Sequence, residues 1–346
     1  MHAGSSRSGL SLIELLVALS LGGLLVALTL PAVAKVREAS RRVRCQNNLR
    51  QLGLALHEYE SVNGMFPAAK QAEPGYPINP KLSIDGMRDY SVHAYLLPYL
   101  GHSPLYASLN FSLPVPNYWE LGSSALPGWS ANVTSLNSAV GVFLCPSDSY
   151  AQSVAPGRNS YRANVGTGLC GDSPGCGIAD GNGAFVHGRN LRVRDFADGL
   201  SKTVALSEKL CGVGTGSFRS ERDFVYTNAV PNCTIISADW IVDRCRELKT
   251  PPSNYYAHSG YTWAIGDTRW TSYTHAATPN STSVDCAIRG AKPPCGAFGA
   301  RSLHERGVNV MLADGAVRFI SESISLSIWR SLGTRNLGDG PTDDGF

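Results

Sequence analysis

Glu14 is the residue whose position most constrains what this chain can do. It lies inside an apolar run of membrane-spanning length, GLSLIELLVALSLGGLLVALTLPAVA at 9–34. An unpaired carboxylate within hydrocarbon costs about 2.5 kcal/mol or more, so a plain anchor would not carry one near the start of its span. The chemistry open to such a group is ion pairing, because a buried carboxylate is tolerable when a cation meets it.

Catalytic patterns are missing. The sequence has no G-x-S-x-G elbow, S-x-x-K, H-E-x-x-H or EF-hand loop, and we expect no enzymatic activity. Ser, His and Asp are plentiful, but linear order supplies no triad geometry. Asp339, Asp343 and Asp344 could offer oxygens to calcium, yet their spacing is not that of a calcium loop and reads as a solvated tail.

The nine cysteines form no C-x-x-C pair and have no histidines at zinc-ligand spacing, so no metal or other cofactor is expected. Scattered through a chain with 36 Gly and 20 Pro, they fit disulfides in an oxidising compartment. Cys170 and Cys176 are close enough to staple one loop, as are Cys286 and Cys295. An odd count leaves at least one thiol free or paired between molecules.

Net charge is +3, too small to argue for nucleic acid. The basic residues Lys35, Arg37, Arg41, Arg42, Arg44 and Arg50 cluster after the apolar run. By the positive-inside rule they would hold the body of the protein in the cytoplasm. The cysteines argue for the opposite orientation.

The elements that position these residues begin with a helix from Leu10 to Val62. Cys45, Leu49, Leu52, Leu56 and Tyr59 recur at helical spacing on one face, and Asn63-Gly64 with Pro67 ends the pattern. Short strand-like runs follow at 92–100, 140–144, 203–206, 235–242 and 262–265, between irregular connections at 66–90 and 110–135. Alternating runs at 308–313 and 316–320 flank Asp314-Gly315, which predicts a hairpin closed by a type I′ turn. A last helix is expected over 323–332, capped by Ser321 or Ser323, then a mobile Gly/Asp-rich tail.

Arg7, Gly9, Leu10 and Glu14, the fifth residue after the glycine, resemble the class III signal of type IV prepilins and pseudopilins. That resemblance implies cleavage by prepilin peptidase after Gly9 and N-methylation of Leu10. It also implies a helix that carries a proline where Pro31 stands. Leu10 departs from the family's usual Phe. In a filament, the free ammonium of Leu10 can then pair with Glu14 of a neighbour. The leader places the body outside, in agreement with the cysteines.

Further segments resemble the exported, prepilin-like family called domain of unknown function 1559, known for a C-terminal H-x9-DG motif. They are SRRVRCQNNLRQLGLALHEYESVNGMFP (40–67), FLCPSD (143–148), SYRANVG (160–166), DFADGLSKTVALSEK (195–209) and SLHERGVNVMLADGAVRFISESIS (302–325). The last holds His304, nine residues, then Asp314-Gly315. Asp314-Gly315 reads most simply as turn chemistry, and His304 as bonding that turn or a nearby carbonyl. Asp198-Gly199 reads as another turn and Glu208 as a local cap or pair. Cys45 and Cys145 both fall in family-like segments, so a bridge from helix to body is expected.

Together these readings give an α+β, pilin-like fold: a long N-terminal helix, transmembrane then amphipathic, packed on a large β-rich domain. Its parts are a leader (1–9), a membrane half of the helix (10–34), an amphipathic half (35–64), a globular domain (65–332) and a flexible tail (333–346). The implied role is a structural subunit of a type II secretion-like or type IV pilus-like assembly. It would be single-pass in the inner membrane, with the C-terminal domain periplasmic or extracellular. Its partners would be other pilin-like subunits and the prepilin peptidase. The alternative is a tethered protein that binds polysaccharide through aromatics in 212–300: Tyr255, Tyr256, Tyr261, Trp263, Trp270 and Tyr273.

Overall fold

The computed structural model describes residues 12–70, 90–112, 132–153, 157–167, 181–214, 218–219, 221–227, 237–248, 255–288 and 296–340. Helix α1 (Leu12–Asn63) is continuous over 52 residues, about 78 Å at 1.5 Å per residue, with Pro31 inside it. Every residue from 12 to 37 is exposed. Further along, Cys45, Leu49, Leu52, Ala55 and Leu56 are buried, on the face that the periodicity predicts, and Tyr59 packs at its edge.

Short helices follow: α2 (Val92–Leu96), α3 (Ser103–Ala107), α4 (Val133–Leu136) and α5 (Ser149–Ser153), then α6 (Ala238–Arg246) and α7 (Leu326–Leu332). The strands are β1 (Tyr161–Asn164), β2 (Val204–Glu208), β3 (Phe224–Thr227), β4 (Tyr255–Tyr256), β5 (Ser272–Tyr273), β6 (Asp285–Ile288), β7 (Gly296–Ala297), β8 (Gly307–Leu312) and β9 (Val317–Ser321). They form two mixed sheets, ordered β5-β1-β2-β8-β9 and β4-β3-β6-β7. The class is α+β.

The first sheet is covered on both faces. From β8, Met311 packs with Leu49 and Leu52 of α1. Val308, Val310 and Leu312 point the other way, onto Trp329 and Leu332 of α7. All six residues of β8 are therefore buried, as expected for a strand sandwiched between helices. Against the second sheet, Ile241 and Val242 of α6 pack on Ile288 and Ala297, and a disulfide ties Cys245 to Cys286.

Several expectations are corrected. The run at 92–100 is α2 followed by a 3-10 turn over Leu97–Leu100, because the Ser91 hydroxyl accepts from Ala94 N and starts a helix. In 235–242 the described part opens α6, capped in the same way by Ser237. The run at 140–144 holds a 3-10 turn, Gly141–Phe143, and 262–265 contributes an isolated bridge between Tyr90 and Ile265. Helix α7 starts later than expected, with Ser325 as its cap. The tail is docked as far as it is described: Thr334 and Arg335 are buried, and the Arg335 guanidinium donates to the carbonyls of Gly181 and Gly183 at 2.9 Å.

The 308–320 hairpin forms, but its turn is not type I′. Gly315 has φ of 88°, whereas Asp314 keeps a negative φ. Gly315 N donates to Leu312 O (2.9 Å) and Leu312 N to Ala316 O (2.8 Å). This is a type I turn followed by a left-handed glycine bulge. The Asp314 carboxylate accepts from Ala316 N at 2.9 Å, which stabilises a negative φ at Asp314 by an Asx turn.

Candidate functional site: a helix pinned at both ends of one strand

Residues Gly9 and Leu10 lie outside the described residues. Glu14 is in the first turn of α1, on the exposed apolar half, where a carboxylate also complements the helix dipole. Pro31 is on the same exposed half. The structure brings neither Glu14 nor Pro31 near the globular domain.

The remaining motif residues converge on α1. Cys45 is joined to Cys145 by a disulfide with a Cα–Cα separation of 5.1 Å, across 100 residues of sequence. His304, buried, does not bond the Asp314-Gly315 turn. Its Nδ1 lies 2.7 Å from Glu38 Oε1 of α1, and its Nε2 lies 3.1 Å from Glu208 Oε1 and 3.7 Å from Cys145 Sγ. Glu208 is thus no local cap. It ends β2, and its carboxylate also accepts from Asn309 N (2.7 Å) and Asn309 Nδ2 (2.9 Å). Burial would push the His304 pKa down, but hydrogen bonds and charge from Glu208 and Glu38 outweigh it, so the net shift is upward. Burial likewise opposes ionisation of Glu38, yet His304 and Arg41 hold its pKa below the usual value.

Asp314 and Gly315 sit at the other end of β8. Gly315 packs against α1: a Cβ on Gly53 would lie 3.2 Å from Gly315 Cα and 2.9 Å from Met311 Sδ. Midway, Gln46 Nε2 donates to Asn309 Oδ1 at 3.0 Å, and the Arg42 guanidinium lies 3.5 Å over the Phe319 ring. Strand β8 therefore runs alongside α1 in the same direction, fixed at Glu38–His304, Gln46–Asn309 and Gly53–Gly315. The spacing has a physical sense. The fifteen helical steps from Glu38 to Gly53 span about 22 Å, and a six-residue strand spans about 20 Å. The nine residues between His304 and Asp314 let one strand reach both anchor points.

Two residues of this arrangement are hard to find in the sequence. Glu38 is missed, although it stands seven residues before Cys45 and so on the same helix face. Glu208 is noticed, but its partners lie about a hundred residues away. The aromatics offered as a polysaccharide platform are corrected: Tyr256, Tyr261, Trp263, Trp270 and Tyr273 are buried in the core, and Tyr255 alone of the six is exposed.

The disulfide expectations resolve in part. Cys286 bonds Cys245, not Cys295, because β6 packs against α6. Cys211 is free and buried. Cys170, Cys176, Cys233 and Cys295 lie outside the described residues, as do Asp343 and Asp344. Asp339 accepts from Thr334 Oγ1 at 2.8 Å.

A family model described as "Protein of unknown function (DUF1559)" matches residues 34–327, and the chain belongs to that family. The prokaryotic N-terminal methylation motif matches residues 4–30. With its single described apolar helix at the N-terminus, the chain is a type IV pilin-like protein of the kind processed by prepilin peptidase, and it fits a membrane-anchored exported protein. No curated protein and no solved structure matches it.

Proposed function

We propose that this protein is a structural subunit of a type II secretion-like or type IV pilus-like assembly, anchored in the inner membrane with its globular domain on the far side. Prepilin peptidase removes residues 1–9, and Leu10 becomes the methylated N-terminus. The observation that carries this reading is the division of α1. Its apolar half is exposed along its length, free for a bilayer and then for a helix bundle, while its second half is fixed to the domain. In the bundle the Leu10 ammonium of one subunit meets Glu14 of its neighbour, which removes the cost of a carboxylate in hydrocarbon. The role is structural, and no catalytic step is assigned.

Shearing of cells that express the processed chain, followed by sedimentation, tests the assembly role. Filaments containing many copies are expected. Recovery of the chain solely as detergent-extracted monomers, with the peptidase and companion subunits present, would refute it.

A further inference from the structure

We propose that Cys45, Cys145, Glu208 and His304 form a four-ligand Zn2+ site when the Cys45–Cys145 disulfide is in its dithiol form. One ligand atom from each of the four residues lies within 4.8 Å of all the others, and all four residues are buried. The set is two sulfurs, one imidazole nitrogen and one carboxylate oxygen, from α1, the segment before α5, β2 and the turn before β8. Thiolate and imidazole donors select zinc-like ions over calcium or magnesium.

Three features go beyond proximity. Donors around a tetrahedral zinc at ordinary bond lengths lie about 3.3–3.8 Å apart. His304 Nε2 already stands at 3.1 Å from Glu208 Oε1 and 3.7 Å from Cys145 Sγ. His304 also turns Nε2 towards the cluster while Nδ1 is held by the Glu38 carboxylate at 2.7 Å. A second carboxylate on the far ring nitrogen is the support that metal-bound histidines commonly receive. Finally, Glu208 is fixed by Asn309 N and Nδ2, so its oxygen is oriented before any ion arrives. Sequence spacing conceals the site because its ligands come from four separate segments.

A phosphine reductant takes up oxygen from one water as the S–S bond breaks, giving two thiols and a phosphine oxide. Zn2+ then displaces the two thiol protons and any proton on His304 Nε2, while the other imidazole proton stays on Nδ1 and is donated to the Glu38 carboxylate. The two sulfurs separate from bonding distance to about 3.8 Å, a side-chain movement. In either state α1 is tied to the domain at the same place, covalently in one and through the ion in the other.

The test uses the full chain in detergent, reduced with a phosphine and titrated with Co2+ as a spectroscopic substitute and with Zn2+. We expect one ion per chain bound through Cys45 and Cys145, with thiolate-to-cobalt charge transfer and the intense visible bands of four-coordinate cobalt. The Cys45→Ser/Cys145→Ser chain should lose these bands, which separates this site from the other cysteines. His304→Ala should weaken binding more than tenfold. Glu38→Gln should weaken it about ten- to a hundredfold with the spectrum retained. A folded dithiol protein that binds no metal would overturn the proposal, as would bands that persist in the double serine variant. If reduction unfolds the domain, added zinc must restore its circular dichroism, and failure to do so is equally fatal.

Discussion

Residues 12–37 and 38–56 belong to one unbroken helix, yet their surroundings have nothing in common. The first stretch is exposed throughout and apolar apart from Glu14, Ser20, Thr29 and the start of the basic cluster. The second is held by a disulfide, a histidine between two carboxylates, a stacked guanidinium and a glycine contact. Helix propensity does not differ enough to explain this. The difference lies in composition and surroundings: the first half is apolar and long enough to cross a membrane, whereas the second packs on one strand of its own domain. Changes in the first half should therefore alter assembly and leave the fold intact, and changes in the second should do the reverse.

The largest effect is expected from Glu14→Leu. The variant should insert at least as well as the parent, since a costly group leaves the span, while filament yield falls to background because the neighbour's ammonium loses its partner. Normal yield would show that assembly does not depend on an ion pair at Glu14. Next is the disulfide. Cys45→Ser/Cys145→Ser should lower domain stability by about 2–5 kcal/mol, measured by denaturant unfolding under oxidising conditions. Membrane insertion should be unchanged.

Gly315→Val should cost about 1–3 kcal/mol, since a β-branched residue is strained at φ of 88°. Asp314→Asn is its control. An amide oxygen can still accept from Ala316 N, so thermal stability should move by less than about 0.5 kcal/mol. A large loss with Asp314→Asn would mean that the carboxylate has a role beyond the turn.

Acid should act on the domain alone. Burial drives the His93 pKa down to about 4, and that of His275, stacked on Trp329 and hydrogen-bonded at both ring nitrogens, to about 3. A depressed folded pKa contributes stability above pH 6.5 that is lost as pH falls towards the folded value. His304 works in the opposite sense: its raised pKa gives stability present below pH 6.5 and lost as pH rises through the folded value. Between about pH 5.5 and 4 His304 is charged in both states, while His93 and His275, together with His258, whose pKa burial and Arg158 also lower, contribute to the slope. His93→Gln should reduce that slope by about 1.4 kcal/mol per pH unit, and an unchanged slope would show that His93 titrates normally.

How much of this was legible in the sequence follows from the physics of each signal. The α1 face was readable because Cys45, Leu49, Leu52 and Leu56 repeat with the helical period over several turns. The hairpin was readable from Asp-Gly, but its turn type was not, since an Asx bond and packing of Gly315 on Gly53 decide it. The runs at 92–100 and 235–242 misled because short apolar stretches fit strand and helix equally, and Ser91 and Ser237 were the decisive cap signals. The Glu38–His304–Glu208 cluster was beyond reach, as its members meet only after three segments pack.

On the proposed function, the exposed half of α1 is the mature end of a processed pilin-like subunit. Intact-mass and N-terminal peptide spectrometry of the protein from membranes of a peptidase-competent host tests it most directly. We expect a chain that begins at Leu10 with one added methyl group, and no processing in Gly9→Val. A chain that begins at Met1, or one cut after Ala34, would contradict it.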